Sequence, residues 1–326
     1  MTTARRQLFA GSALVASALA LPASVQAQAP AASGQAPSGQ APGFYRFRLG
    51  DFTVTTVHDG SFRRPVEGFV RDVPTAEVQD LLAGQGLPRE TLTVPFTITF
   101  VQTPRGLIAF DAGTGGQMAP TAGQMMGNMR AAGLDPAAVT AVVVSHFHGD
   151  HITGLTTAQD EVVFPNAEVI VPAAEWAFWT DEANAARAPQ AQRGTFANTA
   201  RRFAPYRARI RQIADGAEVL PGIRAVAAYG HTPGHTIYHV ADGGAQMMFL
   251  ADLTNRPEVN AMRPDWRIVF DMDGAMATET RRRILDRVSS EGMLVTGYHF
   301  PFPARGTFLR TEHGYRFAPA DWSGVV

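Results

Sequence analysis

Short apolar runs alternate with helical periodicity along most of the chain, and the two patterns together predict an α/β layout. Residues 51–57 alternate apolar and polar positions and stop at Asp59-Gly60, a turn dipeptide, which predicts a strand entering a hairpin. Residues 97–103 and 106–110 predict a strand pair across Pro104-Arg105. Residues 117–132 carry a helical pattern ending at Gly133. Asp135 before Pro136 then supplies a capping side chain and a first-turn proline for a short helix. The apolar runs 141–145, 169–171, 223–228, 247–251 and 293–296 read as buried strands. Residues 280–290 predict a surface helix ended by Gly292, with the run Arg281, Arg282 and Arg283 as its solvated face. Strands alternating with helices imply layers of helix on sheet.

The N-terminus lacks this pattern. Arg5 and Arg6 precede a weakly apolar run over residues 8–21, followed by Pro22 and the small-residue pattern Val25-Gln26-Ala27. Residues 1–27 therefore read as a signal peptide cleaved after Ala27. The run is too short and alanine-rich for a membrane span, so no stable membrane anchor is expected. The paired arginines before Gln7-Leu8-Phe9 resemble a twin-arginine leader, with Sec export as the alternative; either implies a periplasmic or secreted protein. Residues 28–43, nearly all Ala, Gln, Pro, Ser and Gly, read as a flexible linker. Residues 44–326 read as one domain.

Composition narrows the chemistry. The 326 residues include no cysteine, which excludes disulfide scaffolds, thiolate zinc fingers, iron–sulfur clusters and cysteine nucleophiles. All 28 basic residues are arginine, which excludes lysine nucleophiles and Schiff bases. A formal net charge of -1 gives no global drive toward nucleic acid, so no nucleic-acid partner is expected.

Candidate chemistry gathers at strand ends. The run ending at Ser145 is followed at once by His146-Phe147-His148-Gly149-Asp150-His151. Three imidazoles and a carboxylate within six residues suit a borderline divalent cation held by nitrogen and oxygen, with room for two ions. Three later runs end the same way: 223–228 at Tyr229-Gly230-His231-Thr232-Pro233-Gly234-His235, 247–250 at Ala251-Asp252, and 293–296 at Gly297-Tyr298-His299. Loops beyond strand ends are where layered α/β enzymes place reactive groups, because the strands fix the geometry while the loops stay accessible.

These motifs resemble the metallo-β-lactamase superfamily over essentially the whole folded domain. Gly50-Asp51-Phe52, residues 231–235, His299-Phe300-Pro301 and Gly314-Tyr315-Arg316-Phe317 further resemble its methyl parathion hydrolase and lactonase branch. The resemblance implies a four-layered αβ/βα sandwich with a binuclear metal centre between two sheets. His146, His148 and His231 would hold one ion, Asp150, His151 and His299 the other, and Asp252 would bridge them. Two divalent ions are implied, with zinc expected and manganese, cobalt or iron as alternatives. Seven donors exceed the four of a tetrahedral zinc and suit two ions sharing a carboxylate and a hydroxide. The hydroxide would be the nucleophile, with Asp150 orienting it or taking up a proton, so Asp150 and Asp252 are the catalytic candidates.

The expected function is hydrolysis of small-molecule lactones or esters, with phosphotriesters as a further substrate class. An aspartate at position 252, where lactamases of the superfamily carry cysteine or serine, makes a β-lactamase a lesser alternative, as is a thioesterase. A non-catalytic metal-binding sensor or scavenger is the alternative from another class. The small acyl-homoserine lactonases commonly have tyrosine three residues after the bridging aspartate, where Asn255 stands here. The resemblance places Trp179 and Phe196 in an apolar substrate pocket, with Met118 in the place of a third aromatic and Arg63 and Arg64 at a more polar entrance. Trp176 and Phe178 share the helical spacing and are equally readable as core. His235 is expected to brace its turn, and His58, His239 and His313 to be structural. Relatives of this kind are often dimers, so a homodimer is an open expectation.

Overall fold

The structure, a computed structural model, describes residues 41–326. The expected signal peptide and residues 28–40 of the expected linker lie outside the described residues. Strands β1 (Phe44–Leu49), β2 (Phe52–Pro65), β3 (Val70–Arg71), β4 (Thr91–Thr103), β5 (Gly106–Phe110), β6 (Val139–Val143), β7 (Glu168–Pro172) and β8 (Ile210–Ile213) occupy the first half. The second half carries β9 (Glu218–Leu220), β10 (Ile223–Ala227), β11 (Thr236–Asp242), β12 (Ala245–Phe249), β13 (Arg267–Ile268), β14 (Leu294–Thr296), β15 (Arg305–Arg310) and β16 (Tyr315–Pro319). The helices are α1 (Thr75–Ala83), α2 (Met125–Ala131), α3 (Gly149–Ile152), α4 (Ala173–Trp179), α5 (Glu182–Arg187), α6 (Gln190–Phe203), α7 (Pro257–Asn260) and α8 (Gly274–Ser290).

Two seven-stranded sheets follow the two halves, in the orders β1-β2-β4-β5-β6-β7-β8 and β16-β15-β14-β12-β11-β10-β9, while β3 and β13 pair separately. The first sheet is antiparallel from β1 to β5 and parallel from β5 to β8; in the second, only β12 and β14 run parallel. Val142, Val143, Val169 and Ile170 have no exposure, as expected of parallel strands covered on both faces. The inner faces meet where Phe110 packs on Tyr238 and Phe249, at centroid distances of 5.5 and 5.1 Å. On the outside, α4 packs near β7 and β8 with α6 against α4, and α8 buries Ile284, Leu285 and Val288 against Met248, Val295 and Phe308. The result is the expected four-layered α/β sandwich. No helix among the described residues is long and apolar enough to cross a membrane.

Three elements depart from the sequence expectation, each for a local reason. Asp59-Gly60 is a bulge rather than a hairpin turn: β2 continues to Pro65 because it pairs with β4 along its length, and the register shifts between His58 and Gly60. The Asp59 side chain turns inward and accepts hydrogen bonds from Thr114 N, Thr114 Oγ1 and Met125 N. The helix expected over 117–132 shrinks to α2, since Gly123 sits at φ +94°, outside helical geometry. Helix α8 starts earlier than expected, at Gly274, where the Asp273 carboxylate caps it by accepting from Met276 N. Its buried stripe runs through Ala277, Thr280, Arg281, Ile284, Leu285 and Val288, so Arg281 faces inward at 1% exposure while Arg282 and Arg283 remain in solvent.

Candidate metal centre

Each strand end named above delivers its side chain to one point between the sheets. The run out of β6 turns sharply after Ser145 and enters α3, with His146 and His148 on the loop and Asp150 and His151 in the helical turn. His231 follows β10, Asp252 follows β12 and His299 follows β14. Donor atoms of His146, His148, His231 and Asp252 lie within 4.8 Å of one another, and those of Asp150, His151 and His299 form a second such group. The Asp252 carboxylate touches both. Its Oδ2 is 3.3 Å from His231 Nε2 and 3.1 Å from His299 Nε2, and its Oδ1 is 3.2 Å from His151 Nε2.

Four imidazoles are oriented from behind through Nδ1. His151 Nδ1–H donates to Asp111 Oδ2 at 2.7 Å, His231 Nδ1–H to Asp271 Oδ1 at 3.1 Å, and His299 Nδ1–H to the Pro95 carbonyl at 2.8 Å. Ser145 Oγ donates to Asp111 Oδ2, so it accepts from His146 Nδ1–H at 3.0 Å. In each case the outer acceptor holds the Nδ1 proton and leaves Nε2 facing the centre, the arrangement by which outer partners fix metal-binding histidines. His148 instead presents Nδ1, at 3.1 Å from His146 Nε2 and 3.0 Å from His231 Nε2.

This donor set fits divalent cations. His148 Nδ1 faces ring nitrogens of His146 and His231 at 3.1 and 3.0 Å, and His151 Nε2 and Asp252 Oδ1 are buried without a hydrogen-bond partner. Burial, together with the neighbouring His231, pushes His148 down to about 3. Burial would lower His231 and His299 as well, but hydrogen bonds and charge from the carboxylates outweigh it and raise both to about 9. Burial opposes ionisation of Asp150 and Asp252, yet the surrounding imidazoles hold both carboxylates below their usual range. The clustered nitrogen and carboxylate donors suggest a divalent metal site.

The centre floors a cavity of about 840 Å³. Trp179, Phe62, Phe96, Met118, Phe270 and Met272 give it apolar walls, and Asn255 lines it beside Asp252. Of the residues expected in a substrate pocket, Trp179 and Met118 line this cavity and Phe196 does not: it packs behind Trp179 at 4.7 Å and lines a neighbouring cavity of about 630 Å³, because Trp179 stands between the two. Trp176 and Phe178 do not line the central cavity and pack against the core. The entrance differs too. Arg64 lies over the rings of Phe69 and Phe270, at 5.0 and 4.9 Å, and Arg71 rather than Arg63 or Arg64 reaches the cavity.

His235 donates through Nδ1 to the Ala228 carbonyl and accepts at Nε2 from Asp252 N–H, so it braces its own turn and the Asp252 backbone. Two further braces carry no sequence motif. Glu175 is fully buried; its Oε1 accepts from Phe147 N and Trp179 Nε1, and its Oε2 from Thr232 Oγ1 and Gly234 N, which ties the 146–151 loop to the 231–235 loop. Gly234 is required there, since a Cβ would meet the Glu175 backbone. Arg281, expected in solvent, is the second. The available signal was helical spacing, because Arg281 stands three and four residues before Ile284 and Leu285, and Glu175 four before Trp179.

A family model described as the metallo-beta-lactamase superfamily matches residues 95–297. No curated protein matches the chain. Among solved structures, AbOPH, described as a hydrolase in the beta lactamase superfamily, is 26% identical, covers 87% of this chain and 100% of its own, and superposes with a TM-score of 0.82. AidC, described as a dizinc quorum-quenching lactonase in complex with a product, is 23% identical over 86% of this chain and 99% of its own, with a TM-score of 0.81. A probable metal-dependent hydrolase from Staphylococcus aureus is 18% identical over 85% of this chain and 100% of its own, with a TM-score of 0.70.

Proposed function

The chain belongs to the metallo-β-lactamase superfamily, and from that premise we propose that it is a binuclear metallohydrolase of lactones and esters, with phosphotriesters as secondary substrates. The observation that carries this reading is the convergence of five imidazoles and two carboxylates on the floor of an apolar-walled cavity large enough for a small molecule. His146, His148 and His231 would hold one divalent ion, Asp150, His151 and His299 the other, with Asp252 between them. Bound there, the ions would supply Lewis acidity and lower the pKa of a bound water to about 7.

The chain's own groups account for the rest. Phe62, Phe96, Trp179 and Phe270 exclude bulk water and hold the apolar part of a substrate, so that the scissile carbonyl faces the floor. The Asp150 side chain, at 16% exposure, is the more accessible of the two carboxylates. Its Oδ2, 3.3 Å from His299 Nε2, is placed to receive the proton released when water adds to the carbonyl and to return it to the departing oxygen as the acyl C–O bond breaks. Asn255, which lines the cavity with Nδ2 toward Asp252 Oδ2, is a polar contact for the substrate where related lactonases carry tyrosine. Export through the leader at Arg5 and Arg6 belongs to the same reading and is tested by cell fractionation.

The deciding experiment offers metal-stripped protein, reconstituted with Zn²⁺, Mn²⁺ or Co²⁺, a panel of lactones, aryl esters, phosphotriesters and a cephalosporin. Metal-dependent turnover of lactones or esters above the others is expected. Turnover of none of the panel would remove the hydrolase reading.

A further inference from the structure

The mechanism above leaves one buried charged pair unused. Asp271 and Arg281 are both shielded from solvent, at 0% and 1% side-chain exposure, and Arg281 Nη2 donates to Asp271 Oδ2 at 2.9 Å. A buried ion pair is weak evidence for stability on its own, since desolvation opposes the attraction, so its placement is the informative part. The other Asp271 oxygen accepts the Nδ1 proton of His231. The guanidinium also donates through Nε to the Leu253 carbonyl at 2.8 Å and through Nη1 to the carbonyls of Pro264 and Trp266, at 3.4 and 3.2 Å. Leu253 directly follows Asp252. One side chain on α8 is therefore tied to the backbone beside Asp252 and, through Asp271, to His231.

The backbone reinforces this link. Met272 N donates to the His231 carbonyl and Asp273 N to the Gly230 carbonyl, at 3.1 and 2.9 Å, so the segment carrying Asp271 is laced to the loop carrying His231. Gly230, at φ +122°, lies against the Ala277 backbone, where a Cβ would clash with α8. The start of α8 thus serves as a fixed backboard for the loop.

We propose that Arg281 and Asp271 form a positioning relay that sets His231 and Asp252 relative to each other, Asp271 by holding the outer nitrogen of His231 and Arg281 by anchoring Asp271 and the Leu253 carbonyl to one rigid guanidinium. This rests on the reading of His231 and Asp252 as metal donors. The planar fork matters, because a lysine ammonium at position 281 would keep the charge but lose the fixed geometry that reaches several acceptors at once.

The test measures metal binding by the apo form of the full chain, with Asp271→Asn, Arg281→Lys and, as a control on the exposed face of the same helix, Arg282→Lys. Zn²⁺ affinities are read by chelator competition and donor geometry by the visible spectrum of the Co²⁺ form, alongside the melting temperature of each apo-protein. The wild type and Arg282→Lys are expected to take up two ions alike. Asp271→Asn and Arg281→Lys are expected to bind both ions roughly 10–100-fold more weakly, the range for outer partners of metal ligands, because Asp252 touches both donor groups, with an altered Co²⁺ spectrum. Should Arg281→Lys fail to fold, the near-isosteric Asp271→Asn carries the test. A wild type that binds two ions while Asp271→Asn matches it in affinity and spectrum would overturn the relay alone, as would a lowered apo melting temperature with both readouts unchanged. A wild type that takes up no ion would overturn the metal-site reading, and the relay with it.

Discussion

The 146–151 segment brings four donors to the centre from six consecutive residues, whereas the second half brings three from loops after β10, β12 and β14. Their supports differ in the same way. His146 and His151 are braced by Ser145 and Asp111, which follow the adjacent parallel strands β6 and β5, and Ser145 N and Oγ both donate to Asp111. The second-half donors lean on separate parts of the fold: Asp271 and Arg281 behind His231, His235 behind the Asp252 amide, and the Pro95 carbonyl of β4 behind His299. The Arg256 guanidinium also donates to the His299 carbonyl at 3.2 Å. A defect at Ser145 should therefore stay with His146, while one at Arg281, which reaches both Asp271 and the Leu253 carbonyl, should spread to His231 and Asp252.

Asp252→Ala is the severest way to break this contrast, because that carboxylate alone contacts donors of both groups. Metal content after desalting should fall below two ions per chain, and kcat/KM on the best substrate should fall by more than the roughly 100-fold that marks the upper range for an outer partner. Two retained ions with undiminished turnover would mean that Asp252 does not join the two groups. Ser145→Ala is the milder first-half counterpart. It removes the acceptor behind His146 and keeps Asp111 behind His151, so it should weaken one ion roughly 10–100-fold and leave the other near its wild-type affinity, as read by chelator competition. Equal loss of both ions would show that first-half supports are no more local than those of the second half.

The same contrast governs what could be read in advance. His146, His148, Asp150 and His151 lie in one contiguous string, and the ends of three apolar runs named His231, Asp252 and His299, so the donors needed only strand-end logic. A layered α/β fold followed from alternating patterns as well, whereas the four-layer order came from the family resemblance. What escaped depended on contacts between elements. Asp59-Gly60 looks like a turn unless the pairing of β2 with β4 past it is known. Phe196 sits on the far side of Trp179, a matter of how α6 packs on α4. Arg281 reads as one of three solvated arginines because a charge run suggests solvent, although its spacing places it on the buried stripe. Asp271 carries no motif at all, and its role exists only because α8 and the His231 loop dock together.

Glu175 belongs to both regions and gives the finest test. Its two oxygens each accept from two donors, and the donors outside α4 come from Phe147 on one side and Thr232 and Gly234 on the other. No cation pairs with it among the described residues; burial raises its pKa, and the four hydrogen bonds only partly offset that. The sign of the pH effect follows from that direction. A folded-state pKa above the unfolded value of about 4.3 means that the folded chain binds the proton more tightly, so this contribution to stability is complete below about 4.3 and is lost as pH rises through the folded value. Glu175→Gln removes the titration. In denaturant unfolding of the two apo-proteins, the stability difference should therefore move in the variant's favour with rising pH, by at most about 1.4 kcal/mol for each pH unit in that window. The amide nevertheless turns an N–H toward one donor pair, so one of the two loops loses an anchor and metal affinity should fall even where stability improves. A difference that moves against the variant as pH rises would mean that the four donors outweigh burial and hold Glu175 as a charged link between the two halves.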